Sequence, residues 1–280
     1  MRIGNRNVGD GESVFIIAEV GINHNGSLSN AKRLITAAND AGADAVKLQS
    51  YITEKRVPTN SPIFENLKNC ELSFDEQEEL FLFASELNIL LFSTPFDDES
   101  VDFLETMKNP VYKVASFDSV NKSLLRKIGA TKKPVIMSTG MTSSAELSLA
   151  KECLLDGNID ADCNLAFLHC ISSYPTPPEL SNLSIIHFLR DLHQGPIGYS
   201  DHTIGINIPI SAVAAGAKII EKHFTTDNNI PGADHSMSAN PNVFRSMVEG
   251  IRNMETILGG SEMRIREVER GIEQFRRPSN

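Results

Sequence analysis

Val14–Val20 reads VFIIAEV, an apolar run interrupted only by Glu19. A run of this length rich in β-branched and aromatic residues is a strand covered on both faces, because a helix would need about ten or more residues. Seven similar runs follow: Ala45–Gln49, Ile89–Thr94, Val111–Ser116, Val135–Ser138, Asn164–His169, Ile197–Ser200 and Lys218–His223. Helix-length segments separate them, the order expected of parallel strands joined by crossover helices. Eight such units in 280 residues predict an α/β chain folded as one TIM (β/α)8 barrel, whose usual length is roughly 250 residues. An open doubly wound sheet also accommodates eight strands. No GxGxxG or GxxxxGK[ST] turn follows the first strand, however, so the nucleotide-binding form of that sheet loses its main support.

The intervening segments carry helix starts. Ser73 with Glu76 and Ser143 with Glu146 spell S-x-x-E capping boxes, and Asn240–Pro241 gives an N-cap followed by proline at the first helical position. Beyond Pro241, Phe244, Met247, Val248, Ile251, Met254 and Leu258 recur at helical spacing and are expected to face the barrel. Tyr51–Leu72 is long for a βα connection and predicts a lid over the barrel mouth. Residues 1–260 are thus read as the barrel, with a short N-terminal extension. Residues 261–280 are read as a charged C-terminal helix and tail, the helix over Ser261–Arg277 having a narrow seam of Val268, Ile272 and Phe275.

A formal charge of −10 argues against nucleic acid or an anionic membrane as partner, since both call for a clustered basic surface. Cys70, Cys153, Cys163 and Cys170 form no CxxC pair and read as reduced thiols. The N-terminus MRIGNRNVGDGE lacks the apolar core of a signal peptide, and no apolar run reaches the roughly 18 residues of a membrane span. A cytoplasmic protein is the expectation.

Nearly every apolar run ends on polar or ionisable residues: Glu19; Lys47 and Gln49; Thr94; Lys113 and Ser116; Ser138 and Thr139; His169; Ser200 to His202; Glu221 to His223. In a barrel these ends converge on the face that carries the chemistry. Lys47 and Lys113 interrupt apolar strands, where an unpaired ammonium is costly to desolvate. As a pair they suit an anion such as phosphate or carboxylate, with the hydroxyls of Thr94, Ser116 and Ser200 beside them. Either lysine alone would read equally well as one neutralised by a structural carboxylate. His202 and His223 close adjacent strands and suit an open divalent-metal site, Mn²⁺ or Mg²⁺ rather than structural zinc. Singly, each would read as a satisfied core histidine. His24 and His169 fit that plainer role, and His235 reads as part of a solvated turn.

Nine stretches together resemble the N-acetylneuraminate (sialic acid) synthase family, which includes legionaminic and pseudaminic acid synthases. They are IAEVGINHNGS at 17–27, AGADAVKLQ at 41–49, STPF at 93–96, YKVASFD at 112–118, STGM at 138–141, LHCISSYPTP at 168–177, GYSDHT at 198–203, EKHFT at 221–225 and PGADHSMS at 231–238. The resemblance covers roughly residues 1–275. It implies that C3 of phosphoenolpyruvate attacks the aldehyde of an open-chain N-acetylmannosamine-type sugar, water adds at C2, and phosphate leaves. It further implies His202 and His223 as ligands of Mn²⁺ or Mg²⁺, and Lys47, Lys113, Thr94, Ser116 and Ser200 as the phosphoenolpyruvate set. Glu19 would handle the attacking water or a proton, with Asp234 among the catalytic residues and touching the sugar together with Gln49 and Tyr174.

Three departures bear on the acceptor. Ser172 stands where N-acetylneuraminate synthases have a phosphoenolpyruvate-binding asparagine, as in the legionaminic and pseudaminic branches. Asp118 replaces a sugar-contacting glutamate. The resembled proteins also continue into an antifreeze-like SAF domain that supplies an arginine to the partner's sugar site, whereas the sequence here stops at Asn280. A homodimer and a separate SAF-domain protein are the partners so implied. Two alternatives stay open: another phosphoenolpyruvate-dependent deoxy-sugar acid synthase or aldolase, and a non-catalytic metabolite-binding barrel.

Overall fold

All eight apolar runs become strands of one parallel sheet in the computed structural model, which describes residues 1–156 and 162–277. A two-residue-armed hairpin, β1 (Arg2–Ile3) and β2 (Arg6–Asn7), comes first. The barrel strands are β3 (Phe15–Gly21), β4 (Ala45–Ser50), β5 (Leu90–Pro95), β6 (Tyr112–Val114), β7 (Val135–Ser138), β8 (Leu165–His169), β9 (Ile197–Asp201) and β10 (Ile219–His223). Their hydrogen-bonded order is β5-β4-β3-β10-β9-β8-β7-β6, and the two ends, β5 and β6, pack side by side and close the barrel.

Helices fill the crossovers: α1 (Leu28–Asp40), α2 (Thr53–Arg56), α3 (Phe64–Cys70), α4 (Phe74–Glu86), α5 (Asp98–Thr106), α6 (Lys122–Ala130), α7 (Ser144–Asp156), α8 (Ser184–Leu192), α9 (Asn207–Ala214) and α10 (Pro241–Leu258). The expected starts are made. Ser73 and Glu76 satisfy each other's backbone N–H groups ahead of α4, Ser143 and Glu146 do so ahead of α7, and Asn240 caps α10 through the N–H of Val243.

Strand parity divides the core in two. Ile16, Ala18 and Val20 of β3 point outward to the helices, while Phe15 and Ile17 point inward with Ala45, Phe92, Ile136, Ala166, Leu168 and Ile219. Ile3 and Val8 of the N-terminal hairpin join this inner cluster and plug the lower end. The hairpin is tied down through Asp44, which accepts from Arg6, Arg252 and the N–H of Ile16. With its lower half filled by hydrocarbon, the barrel interior has room for polar groups only toward the C-terminal ends of the strands.

Two expectations are corrected. Leu258 is 50% exposed, because α10 outruns the barrel by its last turn. Ser261–Arg277 is not one helix: Glu267–Phe275 forms a 3₁₀ helix, and Val268, Ile272 and Phe275 are exposed, so the described residues leave the seam uncovered. The segment expected as a lid, Tyr51–Leu72, folds into α2 and α3 around Tyr51 and Leu67, which pack with Ile22 and Cys70, and it brings Arg56, Ile63 and Leu67 to the barrel mouth. Gly26 permits this approach. Its φ is +70°, and a Cβ there would lie 2.1 Å from the carbonyl oxygen of Asn69. Residues 278–280, the end of the expected tail, lie outside the described residues. Among the described residues no helix is long and apolar enough to cross a membrane.

Candidate active site

The same parity that buries Phe15 and Ile17 carries Glu19 into the barrel, and it does likewise for Lys47 above Ala45 and for Glu221 above Ile219. Lys113, Ser138, Ser200, His202 and His223 line the same cavity of about 260 Å³ at the C-terminal mouth. A larger cleft of about 460 Å³ opens at the opposite end beside Arg190 and Lys218 and holds none of these residues. The candidate residues therefore gather in the smaller one.

At its floor is a buried charge cluster. The ammonium of Lys47 lies 3.0 Å from Glu19 and 3.3 Å from Glu221, and it donates to Thr94 Oγ1 at 3.2 Å. Lys113 reaches Glu221 at 3.8 Å and donates to Ser138 Oγ at 2.7 Å. Ser200 donates at 2.8 Å to Oε1 of Glu221, the oxygen nearer Lys113. Burial would raise the Glu221 carboxyl, but the ammoniums of Lys113 and Lys47 outweigh it and hold the pKa near 2. For Glu19 burial prevails over Lys47, and nearby Glu221 adds to it, so the pKa is pushed up to about 7. Lys113, fully desolvated and beyond hydrogen-bond range of Glu221, is lowered to about 8, whereas the closer carboxylates keep Lys47 raised against its burial.

Beside the cluster, Gly140 completes a small polar cradle. Its N–H donates to Ser116 Oγ at 3.1 Å, and a Cβ there would lie 2.5 Å from Ser172 Oγ and 2.8 Å from both Ser116 Oγ and Cys170 Sγ. Ser172 Oγ is buried with no hydrogen-bond partner among the described residues. The expected strand at Ser116 is cut short: β6 stops at Val114 and Ser116–Asp118 turns as a 3₁₀ helix, which swings Ser116 to Gly140.

The imidazoles of His202 and His223 lie 5.5 Å apart, centroid to centroid. Burial lowers the pKa of both, so they are neutral and able to offer lone pairs. The Nδ1 atom of His202 is hydrogen-bonded to the carbonyl of Ile171 at 2.7 Å, which fixes the tautomer with Nε2 open. His223 Nδ1 is buried without a hydrogen bond among the described residues, 3.7 Å from Asp234. This donor pair fits a divalent ion completed by oxygen ligands. No group of three or more His, Cys, Asp or Glu arranged for a metal occurs among the described residues, so a closed structural site is not formed.

Of the remaining expected residues, Gln49, Tyr174 and Asp234 line the cavity. Gln49 donates through Nε2 to Glu19 at 3.1 Å, and the ring of Tyr174 packs 4.2 Å from that of His202. Thr94 sits beneath Lys47 rather than on the wall, and Asp118 lies outside the lining, accepting from Asn121 Nδ2 at 3.2 Å. His169 is bonded to the carbonyl of Ser181, as a core histidine. His235 is no solvated turn: it is buried against Thr225 Oγ1 at 2.7 Å. Two residues lining the cavity are given no role by the sequence reading. Glu221 is named only as a polar strand end, on the parity of His223, and Arg56 carries no motif, since it arrives from the irregular segment after β4.

A (β/α)8 barrel with buried lysines, carboxylates and paired neutral histidines at its mouth is the frame of a small-molecule enzyme. The chain matches the NeuB family over residues 34–263. It is 47% identical over 262 residues to an uncharacterized protein of Methanocaldococcus jannaschii, covering 94% of this chain and 77% of that one. It is 40% identical over 270 residues to N,N'-diacetyllegionaminic acid synthase of Legionella pneumophila, covering 91% and 76%. The solved N-acetylneuraminic acid synthetase of Leptospira borgpetersenii superposes with a TM-score of 0.93 at 36% identity, covering 98% of this chain and 95% of that one. This chain belongs to the NeuB family, and its relatives include sialic-type acid synthases.

Proposed function

We propose that this chain condenses phosphoenolpyruvate with the open-chain form of an N-acetylmannosamine-type aldose and releases inorganic phosphate. The observation that carries the reading is the charge cluster. Lys47 and Lys113 approach Glu221 at 3.3 and 3.8 Å, while burial favours the protonated form of Glu19. Two buried cations against ionised Glu221 and a Glu19 that is about half protonated near neutral pH leave positive charge for a small anion, in a protein whose overall charge is −10. The Gly140 cradle with the unpartnered Ser172 hydroxyl supports a phosphate or carboxylate neighbour for those lysines. The activities of the relatives support an acylated amino sugar as acceptor.

In this reaction the enol carbon C3 forms the new bond to the aldehyde carbon, whose oxygen takes up a proton. Water adds at C2, the C2–O bond to phosphorus-bearing oxygen breaks, and phosphate departs as the 2-oxo group forms. Lys47 and Lys113 hold the anionic substrate, and Ser116 and Ser200 orient it. We assign Glu19, able to exchange a proton near neutral pH, to take the proton of the attacking water. His202 and His223 would hold Mn²⁺ or Mg²⁺, which when bound supplies Lewis-acid polarisation of the aldehyde oxygen. Gln49, Tyr174 and Asp234 line the acceptor side.

The test is phosphate release from phosphoenolpyruvate with Mn²⁺ present, across mannosamine-type, dideoxy and altrosamine-type N-acetylated aldoses. Release that requires one of these sugars is expected. Release with non-acylated aldoses alone would favour another deoxy-sugar acid synthase, and none with any sugar would sink the reading.

A further inference from the structure

Arg56, at the C-terminal end of α2, brings to the cavity a cation that is neither on a strand nor in the lysine cluster. Its guanidinium carbon lies 3.6 Å from the ring centroid of Phe96 and 4.7 Å from that of Tyr51. Stacking of this kind fixes the plane of a guanidinium without using its donors. Among the described residues its one hydrogen-bond acceptor is Gln49 Oε1, at 3.1 Å from Nη1. A guanidinium has five N–H donors, so most remain for a ligand. The negative charges of Asp118 and Asp234 act on it, yet neither forms an ion pair with it. Burial lowers its pKa, which leaves it charged all the same. Apolar side chains, Ile63, Leu67 and Phe117, line the same cavity.

A rigid donor set next to an apolar wall suits a carbonyl oxygen carrying a small alkyl group. We propose that Arg56, with Ile63 and Phe117, forms the subsite for the N-acyl group of the acceptor sugar, an inference that rests on the acylated-aldose reading. The guanidinium would donate to the acyl oxygen while the methyl meets the apolar wall. Arg56 also fixes which way Gln49 points, because Gln49 accepts from it through Oε1 and donates to Glu19 through Nε2.

The experiment compares kcat/KM for an N-acetylated aldose and its non-acylated counterpart in the wild type, Arg56→Met and Arg56→Lys, with KM for phosphoenolpyruvate measured alongside. Losing a charged donor to a buried carbonyl is expected to raise the acylated-sugar KM about 10- to 100-fold in Arg56→Met. The preference for the acylated sugar should collapse with it, and the phosphoenolpyruvate KM should stay unchanged. A purely structural role would depress both sugars together and leave the preference intact. Arg56→Lys, which keeps the charge but not the fork, should fall between, and it decides the matter if Arg56→Met does not fold. A wild-type preference retained in a folded variant overturns the subsite. A wild type inactive with every N-acetylated aldose overturns the acceptor reading and the subsite with it.

Discussion

Lys47 holds its ammonium 3.0 Å from Oε2 of Glu19, with only 5% and 3% of the two side chains exposed. The neighbouring strands set this contact, since Glu19 and Lys47 face each other in the β3–β4 register. Glu221 lies on the other side of the same ammonium. Removing a partner from such a cluster strands a desolvated charge, which is far costlier than losing an exposed ion pair.

Lys113→Met should weaken phosphoenolpyruvate binding roughly 10- to 150-fold, as expected for about 1.5–3 kcal/mol from a charge-assisted contact. Lys47→Met should do the same and also destabilise the fold by about 3–5 kcal/mol, because it leaves both Glu19 and Glu221 without their nearest cation. Calorimetric titration with phosphoenolpyruvate and urea denaturation measure the two effects. Unchanged affinity in both variants would dismiss the paired-lysine site.

Glu19 sets a pH dependence with a definite sign. Its folded pKa, about 7, stands above its ordinary 4.5, so the folded state binds more protons between those values and stability falls as pH rises through that window. Glu19→Gln should flatten this fall, by about 1–3 kcal/mol across the window. The ascending limb of kcat near neutrality should vanish in the same variant. A limb that persists in Glu19→Gln would assign the titration to another group.

His202→Ala and His223→Ala should each weaken Mn²⁺ binding at least about 10-fold, as read by calorimetry or by the signal of free Mn²⁺. Chelation should stop turnover. The folded state should change little in either case, since the ring of His223 makes no hydrogen bond through Nδ1 and that of His202 makes one to Ile171. Wild-type Mn²⁺ affinity in both variants would place the ion elsewhere.

Gly140→Ala tests the cradle. The new methyl would sit 2.5 Å from Ser172 Oγ and 2.8 Å from Ser116 Oγ, so hydroxyls assigned to the anion must turn away. Overpacking of about 1–3 kcal/mol and at least a tenfold loss in phosphoenolpyruvate affinity are expected. Wild-type affinity in a folded variant would remove the cradle from the binding site.

Lys222 differs from Lys47 and Lys113 although all three interrupt apolar strands. It points away from the cavity and donates to Asp201 and to the carbonyl of Thr203, tying β10 to β9 behind the histidines. Lys222→Met should cost about 3–5 kcal/mol of stability, while phosphoenolpyruvate affinity of the folded fraction stays near that of wild type. A variant as stable as the wild type would show the pair to be dispensable.

The sequence by itself determined the barrel, because strand runs and capping boxes are local signals. The inward-facing residues at strand ends were also within its reach, since side-chain direction alternates with period two: Glu19 follows Phe15 and Ile17, and His223 follows Ile219 and Glu221. Tertiary structure alone decided what those residues meet. That Glu221 stands between Lys47 and Lys113 depends on the closure of eight strands and on their stagger, neither of which a single strand encodes. Arg56 depends on how α2 and α3 fold back onto Phe96 and Tyr51, a packing of irregular chain that carries no period to read. The exposure of Val268, Ile272 and Phe275 has the same cause: spacing announces an apolar seam, and only the surrounding chain determines whether anything covers it.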